Sequence, residues 1–75
     1  MIDLRTVSIA ELEGHGCGTR IINELEKNGY LSMRDVLHAT TKELRGLPNI
    51  GKASVDNIVM AARAYCLKNG IPVQD

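Results

Sequence analysis

The chain has 75 residues, 44% of them hydrophobic and 24% charged, a composition that fits one small folded domain and leaves no length for a second. Nine basic and nine acidic side chains cancel, so no strong net field draws the chain to nucleic acid or anionic lipid, and any polyanion site must be local. With no Phe, no Trp and two Tyr, the core must come from Ile, Leu, Val, Met and Ala, and an aromatic platform for stacking single-stranded bases is missing.

Residues 1–6 read as an extended lead-in. Ser8-Ile9-Ala10-Glu11 has the Ser-x-x-Glu form of a capping box and opens a short helix expected to stop at Gly14. Three glycines in the five residues Gly14 to Gly18 exclude a helix interior there, because each adds backbone entropy to be lost. Thr19 to Asn28 reads as a helix ended by Gly29, with Ile21, Ile22 and Leu25 on one arc and Arg20, Asn23, Glu24 and Lys27 on the opposite arc. Ser32 to Asp35 starts a further helix through His38, and Thr40 or Thr41 caps another over 42–45.

Leu47 to Gly51 forms a tight connection into the longest predicted helix, Lys52 to Asn69, ended by Gly70 with Pro72 two residues beyond. Its expected apolar face is Val55, Ile58, Val59, Ala62 and Cys66, with Tyr65 at the edge; Met60, Ala64 and Leu67 form a second stripe on the far side. No segment alternates with a two-residue period, so strands are not expected. The expected fold is all-α: a compact bundle of about five short helices in one domain over 1–75, with a core from about 7 to 70.

The most informative stretch is Leu44 to Val55, which has the form of a helix-hairpin-helix. Pro48 stiffens the turn, Leu47 and Ile50 plug the space between two helices, and Gly51 offers φ > 0 or a close backbone approach. The amides after Gly51 open a helix, where unpaired N–H groups and the macrodipole favour a phosphate; Lys52 adds charge and Ser54 a hydroxyl. The alternative is a hairpin that only packs helices, with Ser54 as a cap. An echo at an offset of 35 residues aligns Leu12 to Gly16 with Leu47 to Gly51 and Thr19 with Ser54, but the apolar phases then disagree. It reads either as a degenerate second hairpin or as coincidence in a Gly-rich stretch.

From about Leu12 to Gly70 the chain resembles the C-terminal domain of the bacterial RNA polymerase alpha subunit. The resemblance runs through Thr19 to Leu25, Gly29-Tyr30, Asp35-Val36-Leu37, Thr40, Glu43-Leu44 and Pro48 to Ser54. It implies a helical domain that grips the minor groove of A·T-rich duplex DNA. By the same resemblance Arg20 enters the groove, Asn23 supports it, and Gly51, Lys52 and Ser54 hold the backbone alongside. A narrow A·T groove has enhanced negative potential, so one well-placed Arg serves without a strongly basic domain. The chain departs from the family in three places. Ala53 stands where a second Lys is common, Glu24 where a neutral residue is usual, and Gly14 and Gly16 where acidic groups face sigma factor.

Enzymatic activity is not expected. His15 and His38 have no visible acid partner, and nothing matches the catalytic pair of a helix-hairpin-helix glycosylase. Cys17 and Cys66 read as reduced thiols rather than metal ligands. No cofactor or metal is expected. The expected partners are duplex A·T-rich DNA and, among proteins, RNA polymerase, sigma factor or a transcription regulator; membrane is not one. The expected state is a monomer, cytoplasmic and nucleoid-associated, of bacterial or phage origin. Two other readings stay open: an interaction domain of the same fold without DNA affinity, using the Met60, Ala64 and Leu67 stripe, and an accessory hairpin domain of a repair protein.

Overall fold

The structure is a computed structural model and describes residues 3–72. It is all-α: a 3-10 helix over Ile9–His15, then α1 (Thr19–Lys27), α2 (Met33–His38), α3 (Thr41–Arg45) and α4 (Lys52–Lys68). Among the described residues the only β pairing is an isolated antiparallel bridge between Ser8 and Ser32. α4 forms the spine. The 3-10 helix, α2 and α3 pack against it, and α1 packs on the 3-10 helix.

The lead-in differs from the extended segment expected. It turns at Asp3, where Thr6 N donates to Asp3 O at 3.0 Å, and then straps onto the start of α2. Arg34 N donates to Leu4 O at 3.2 Å, Met33 N to Val7 O at 2.8 Å, and Ile9 N to Leu31 O at 3.2 Å. Leu4 and Val7 are half-buried against the core; Met1 and Ile2 lie outside the described residues.

The first helix also departs from its sequence reading. Ser8 does cap it, accepting from Ala10 N, but Glu11 does not complete a capping box. The helix is 3-10, because Ile9 and Leu12, three apart and both fully buried, stack on one edge of a three-residue turn. It runs through Gly14 to His15 and stops at Gly16, whose φ of 99° only glycine adopts freely. Gly14 is exposed and ordinary, so its extra entropy did not end the helix.

The remaining elements fall where the sequence places them. α2 and α3 each open on a reciprocal capping box, Ser32 with Asp35 and Thr40 with Glu43. α1 and α4 end in the same way: Asn28 and Asn69 each donate a side-chain amide to the carbonyl four residues back, and Gly29 and Gly70 follow with positive φ. Such a left-handed turn returns the next residue to the core, and Tyr30 N and Ile71 N bond to Leu25 O and Cys66 O.

Ile22, Leu25, Met33, Val36, Leu44, Ile50, Val55 and Ile58 join Ile9 and Leu12 in one buried cluster. On α4 the buried face is shifted from the one expected. Ala61 and Tyr65 are fully inside it, and Val59 is only half-buried. Tyr65 was expected at the edge, but its ring is drawn inward against His15. Ile71 folds back toward the core, whereas Met60 and Leu67 are 70% and 75% exposed. Val73 lies outside the described residues.

Candidate nucleic-acid interface

The hairpin read from the sequence joins α3 to α4. Ile50 is buried, Leu47 is half-buried behind it, and Ile50 N donates to Leu47 O at 3.3 Å, closing the turn. The residue with positive φ is Asn49, at 63°, and not Gly51. Asn tolerates this left-handed conformation better than other side chains do. Gly51 is extended, with φ −97° and ψ −176°, a conformation open to any residue.

A Cβ built on Gly51 would meet nothing within 4 Å. Neither backbone conformation nor internal packing therefore demands glycine here. What the missing side chain leaves is clear ground in front of the helix. Gly51 is also the N-cap of α4 and supplies no side-chain cap. Val55 is the first amide bonded back, to Gly51 O at 3.0 Å, so the N–H groups of Lys52, Ala53 and Ser54 have no backbone acceptor. Ser54 does not cap the helix, which removes the alternative role given to it.

The weak echo is a real second hairpin, but at a spacing of 33 residues instead of 35. His15-Gly16-Cys17-Gly18 lies over Pro48-Asn49-Ile50-Gly51. In both, the second residue has positive φ, the third is a buried plug, and the fourth is an extended glycine N-cap with no side-chain cap and nothing within 4 Å of a built Cβ. The apolar phases then agree, with Ile22 over Val55 and Leu25 over Ile58, all buried. At the start of α1, Ile21 N and Ile22 N bond to Gly18 O, leaving Thr19 N and Arg20 N open.

The five expected site residues thus lie at the starts of two helices rooted in one core. Arg20 and Asn23 are exposed, one turn apart on α1; Gly51 and Lys52 are exposed and Ser54 half-buried in the first turn of α4. The side chains of Arg20, Asn23, Lys52 and Ser54 make no hydrogen bond or ion pair within the described chain. Glu24 does not pair with Arg20. Its carboxylate is mostly covered and lies 3.7 Å from Lys27 Nζ, so Arg20 stays available and the acid is partly compensated.

The two mouths differ electrostatically. Thr19 Oγ1 donates to Glu13 Oε1 at 3.4 Å, which sets a carboxylate beside the first hairpin. The second hairpin has no acid in its turn and carries Lys52 at its rim. Elsewhere the chemistry is inert. Cys17 and Cys66 are free and buried, and burial pushes both thiols up, away from a reactive thiolate. Among the described residues no group of three or more His, Cys, Asp or Glu could hold a metal ion, and no helix is long and apolar enough to cross a membrane.

Sequence comparisons agree with this geometry. Residues 15–64, which begin at the first hairpin, match the family described as SAM-like helix-hairpin-helix tandem. The chain is 36% identical over 59 residues to a DNA-directed RNA polymerase subunit alpha from Thermus aquaticus, covering 76% of this chain and 19% of that protein. To the subunit of the same name from Mycoplasmopsis pulmonis (strain UAB CTIP) it is 32% identical over 62 residues, covering 83% of this chain and 18% of that one. The chain therefore spans about a fifth of the length of the curated relatives it matches. No solved structure matches it significantly. With two hairpins alike in turn, plug and glycine cap and a family match across both, the chain belongs to the SAM-like helix-hairpin-helix tandem family and has the fold of an alpha C-terminal domain.

Proposed function

We propose that this chain is a non-catalytic module that binds A·T-rich duplex DNA through the minor groove and acts in transcription or its regulation. One observation carries the reading. Both hairpins end in glycine N-caps that the fold does not require for packing, each opening clear ground before unbonded amides. A phosphate oxygen fits such ground, since it accepts from the amides and is favoured by the helix dipole. Lys52 and Ser54 add a charge and a hydroxyl at the second mouth. Arg20, beside the first, inserts into the groove, with Asn23 one turn away to support it. The likeness to the polymerase alpha subunits supports RNA polymerase as the protein partner, with sigma factor or a regulator as further candidates.

Titration of the ¹⁵N-labelled chain with an A·T-rich duplex tests this. Shifts are expected at Arg20, Asn23 and Gly51 to Ser54. With about three phosphate contacts, log K should fall against log salt with a slope of roughly −2 to −3. Equal affinity for single strands, or shifts that avoid both hairpins, would refute the minor-groove reading.

A further inference from the structure

On the face of α4 turned away from the core, Ala53, Met60, Ala64 and Leu67 fall within an arc of about 60° at roughly 100° per residue. Ala53, Met60 and Leu67 are exposed, the last two at 70% and 75%, and Ala64 is half-buried. A monomer has no use for two large apolar side chains standing together on its longest helix. The edge of this stripe carries Asp56 and, seven residues on, Arg63.

We propose that the stripe is a self-association surface, occupied by α4 of a second copy running antiparallel about a two-fold axis at Met60. The spacing of the residues argues for that occupant. Rotation about such an axis brings residue i opposite residue 120 minus i, and brings each edge of the stripe against the same edge of the other copy. Met60 then meets its own counterpart. Leu67 faces Ala53 of the second copy, a large side chain against a small one, and this happens twice. Asp56 falls beside Arg63 of the second copy, also twice, so the edge is complementary to itself. Lys52 and Lys68 come level with each other but on opposite edges, and their like charges stay apart. A parallel pair, with its two-fold along the helices, would instead set each edge of the stripe against the opposite edge, where Asp56 and Arg63 meet no opposite charge. The monomer expected from the sequence is thus the dilute form of a weak dimer, since a single helix face lies at the small end of specific interfaces.

Sedimentation equilibrium and ¹⁵N relaxation of the whole chain test this between about 20 µM and 1 mM, the range where small interfaces associate. The average mass is expected to climb from the 8.2 kDa protomer toward twice that value, with shifts confined to 53–67. Met60→Glu should stay monomeric and folded, because the side chain is outside the core. The orientation is tested by charge. D56R or R63D alone should weaken association about tenfold at low salt, since each turns two attractions into two repulsions; the D56R/R63D double variant should recover it. A wild-type chain that stays monomeric at 1 mM would overturn the proposal and assign the face to a different protein. A double variant no better than the single ones would overturn the antiparallel arrangement.

Discussion

The imidazole of His15 meets the ring of Tyr65 edge-on, with ring centroids 5.9 Å apart and planes at 84°. His15 closes the 3-10 helix at the mouth of the first hairpin, and Tyr65 lies four turns along α4 from the mouth of the second. The contact joins the two hairpins through the spine. It gives Tyr65, in a core otherwise built from aliphatic side chains, a partner that its quadrupole prefers edge-on. His15→Ala should therefore lower stability by about 0.5–1.5 kcal/mol, read as a lower urea midpoint at unchanged slope. Tyr65→Phe keeps the ring and should cost less. Equal midpoints for wild type and His15→Ala would show that the contact contributes nothing.

The cap of α2 gives a pH dependence with a defined sign. Hydrogen bonds from the Ser32 and Leu31 amides hold the Asp35 carboxyl below the usual carboxylate range. A depressed folded pKa means that its stabilisation is complete above the unfolded value of about 4 and is lost as pH falls through the folded value. Asp35→Asn should flatten the loss of stability on acidification relative to wild type. It should not abolish that loss, because Asp3, held down by Arg5, titrates the same way. Ser32→Ala and Thr40→Ala should each cost about 1 kcal/mol by chemical denaturation at neutral pH.

Asn49 carries the left-handed turn of the second hairpin, so its replacement separates backbone strain from packing. Asn49→Val should cost about 1–2 kcal/mol, since a branched Cβ is crowded in that region. Asn49→Gly should stay within about 0.5 kcal/mol of wild type, because relief of strain and the freer unfolded chain oppose each other. Thermal melts of the two variants should separate clearly.

The four α-helices were legible because their stops are chemical. Asn-Gly ends α1 and α4, and Ser and Thr open α2 and α3, so local composition alone sets these bounds. The 3-10 helix was not legible in the same way. Its form depends on the burial of Ile9 and Leu12 and on the strap between Val7 and Met33, contacts with distant parts of the chain. The second hairpin could be read from Pro48, Ile50 and Gly51. The first was placed two residues out of register because Leu12 was matched to Leu47, whereas its plug is Cys17, a small residue that does not announce itself as apolar. Gly-x-Gly against Asn-x-Gly, followed by Ile22 and Leu25 in phase with Val55 and Ile58, was the signal that would have found it. The role of Gly51 was half legible: its importance shows in the motif, but that its φ is ordinary shows only in three dimensions.

That ordinary conformation makes Gly51→Ala a clean separation of fold from binding. The new methyl meets nothing within 4 Å and needs no backbone change, so stability should shift by no more than about 1 kcal/mol in either direction. If a phosphate sits on that ground, the same methyl intrudes on it, and duplex affinity should fall at least about tenfold, or 1.4 kcal/mol. Fluorescence anisotropy with a labelled A·T-rich duplex, alongside a urea melt, gives both numbers. Unchanged affinity would mean that the clear ground over Gly51 is not a contact.

Arg20 offers the sharpest test of the groove reading. It stands on the exposed arc of α1, opposite Ile22 and Leu25, and no side chain within the described chain holds it. Arg20→Ala should therefore leave the core intact, cost under about 0.5 kcal/mol of stability and keep the amide spectrum folded. Duplex binding should nonetheless be mostly lost. Arg20→Lys should restore little, because a compact ammonium is more strongly hydrated than a planar guanidinium and loses more on entering a narrow groove. Glu24→Ala should tighten binding only modestly: Lys27, 3.7 Å away, already offsets part of the carboxylate's repulsion of phosphate, and the substitution frees that lysine for the DNA. A titration of all three variants against one A·T-rich duplex at fixed salt orders them as Glu24→Ala, wild type, Arg20→Lys, Arg20→Ala. Full rescue by lysine would mean that Arg20 is a simple phosphate contact outside the groove, and wild-type binding by Arg20→Ala would mean that α1 does not read DNA at all.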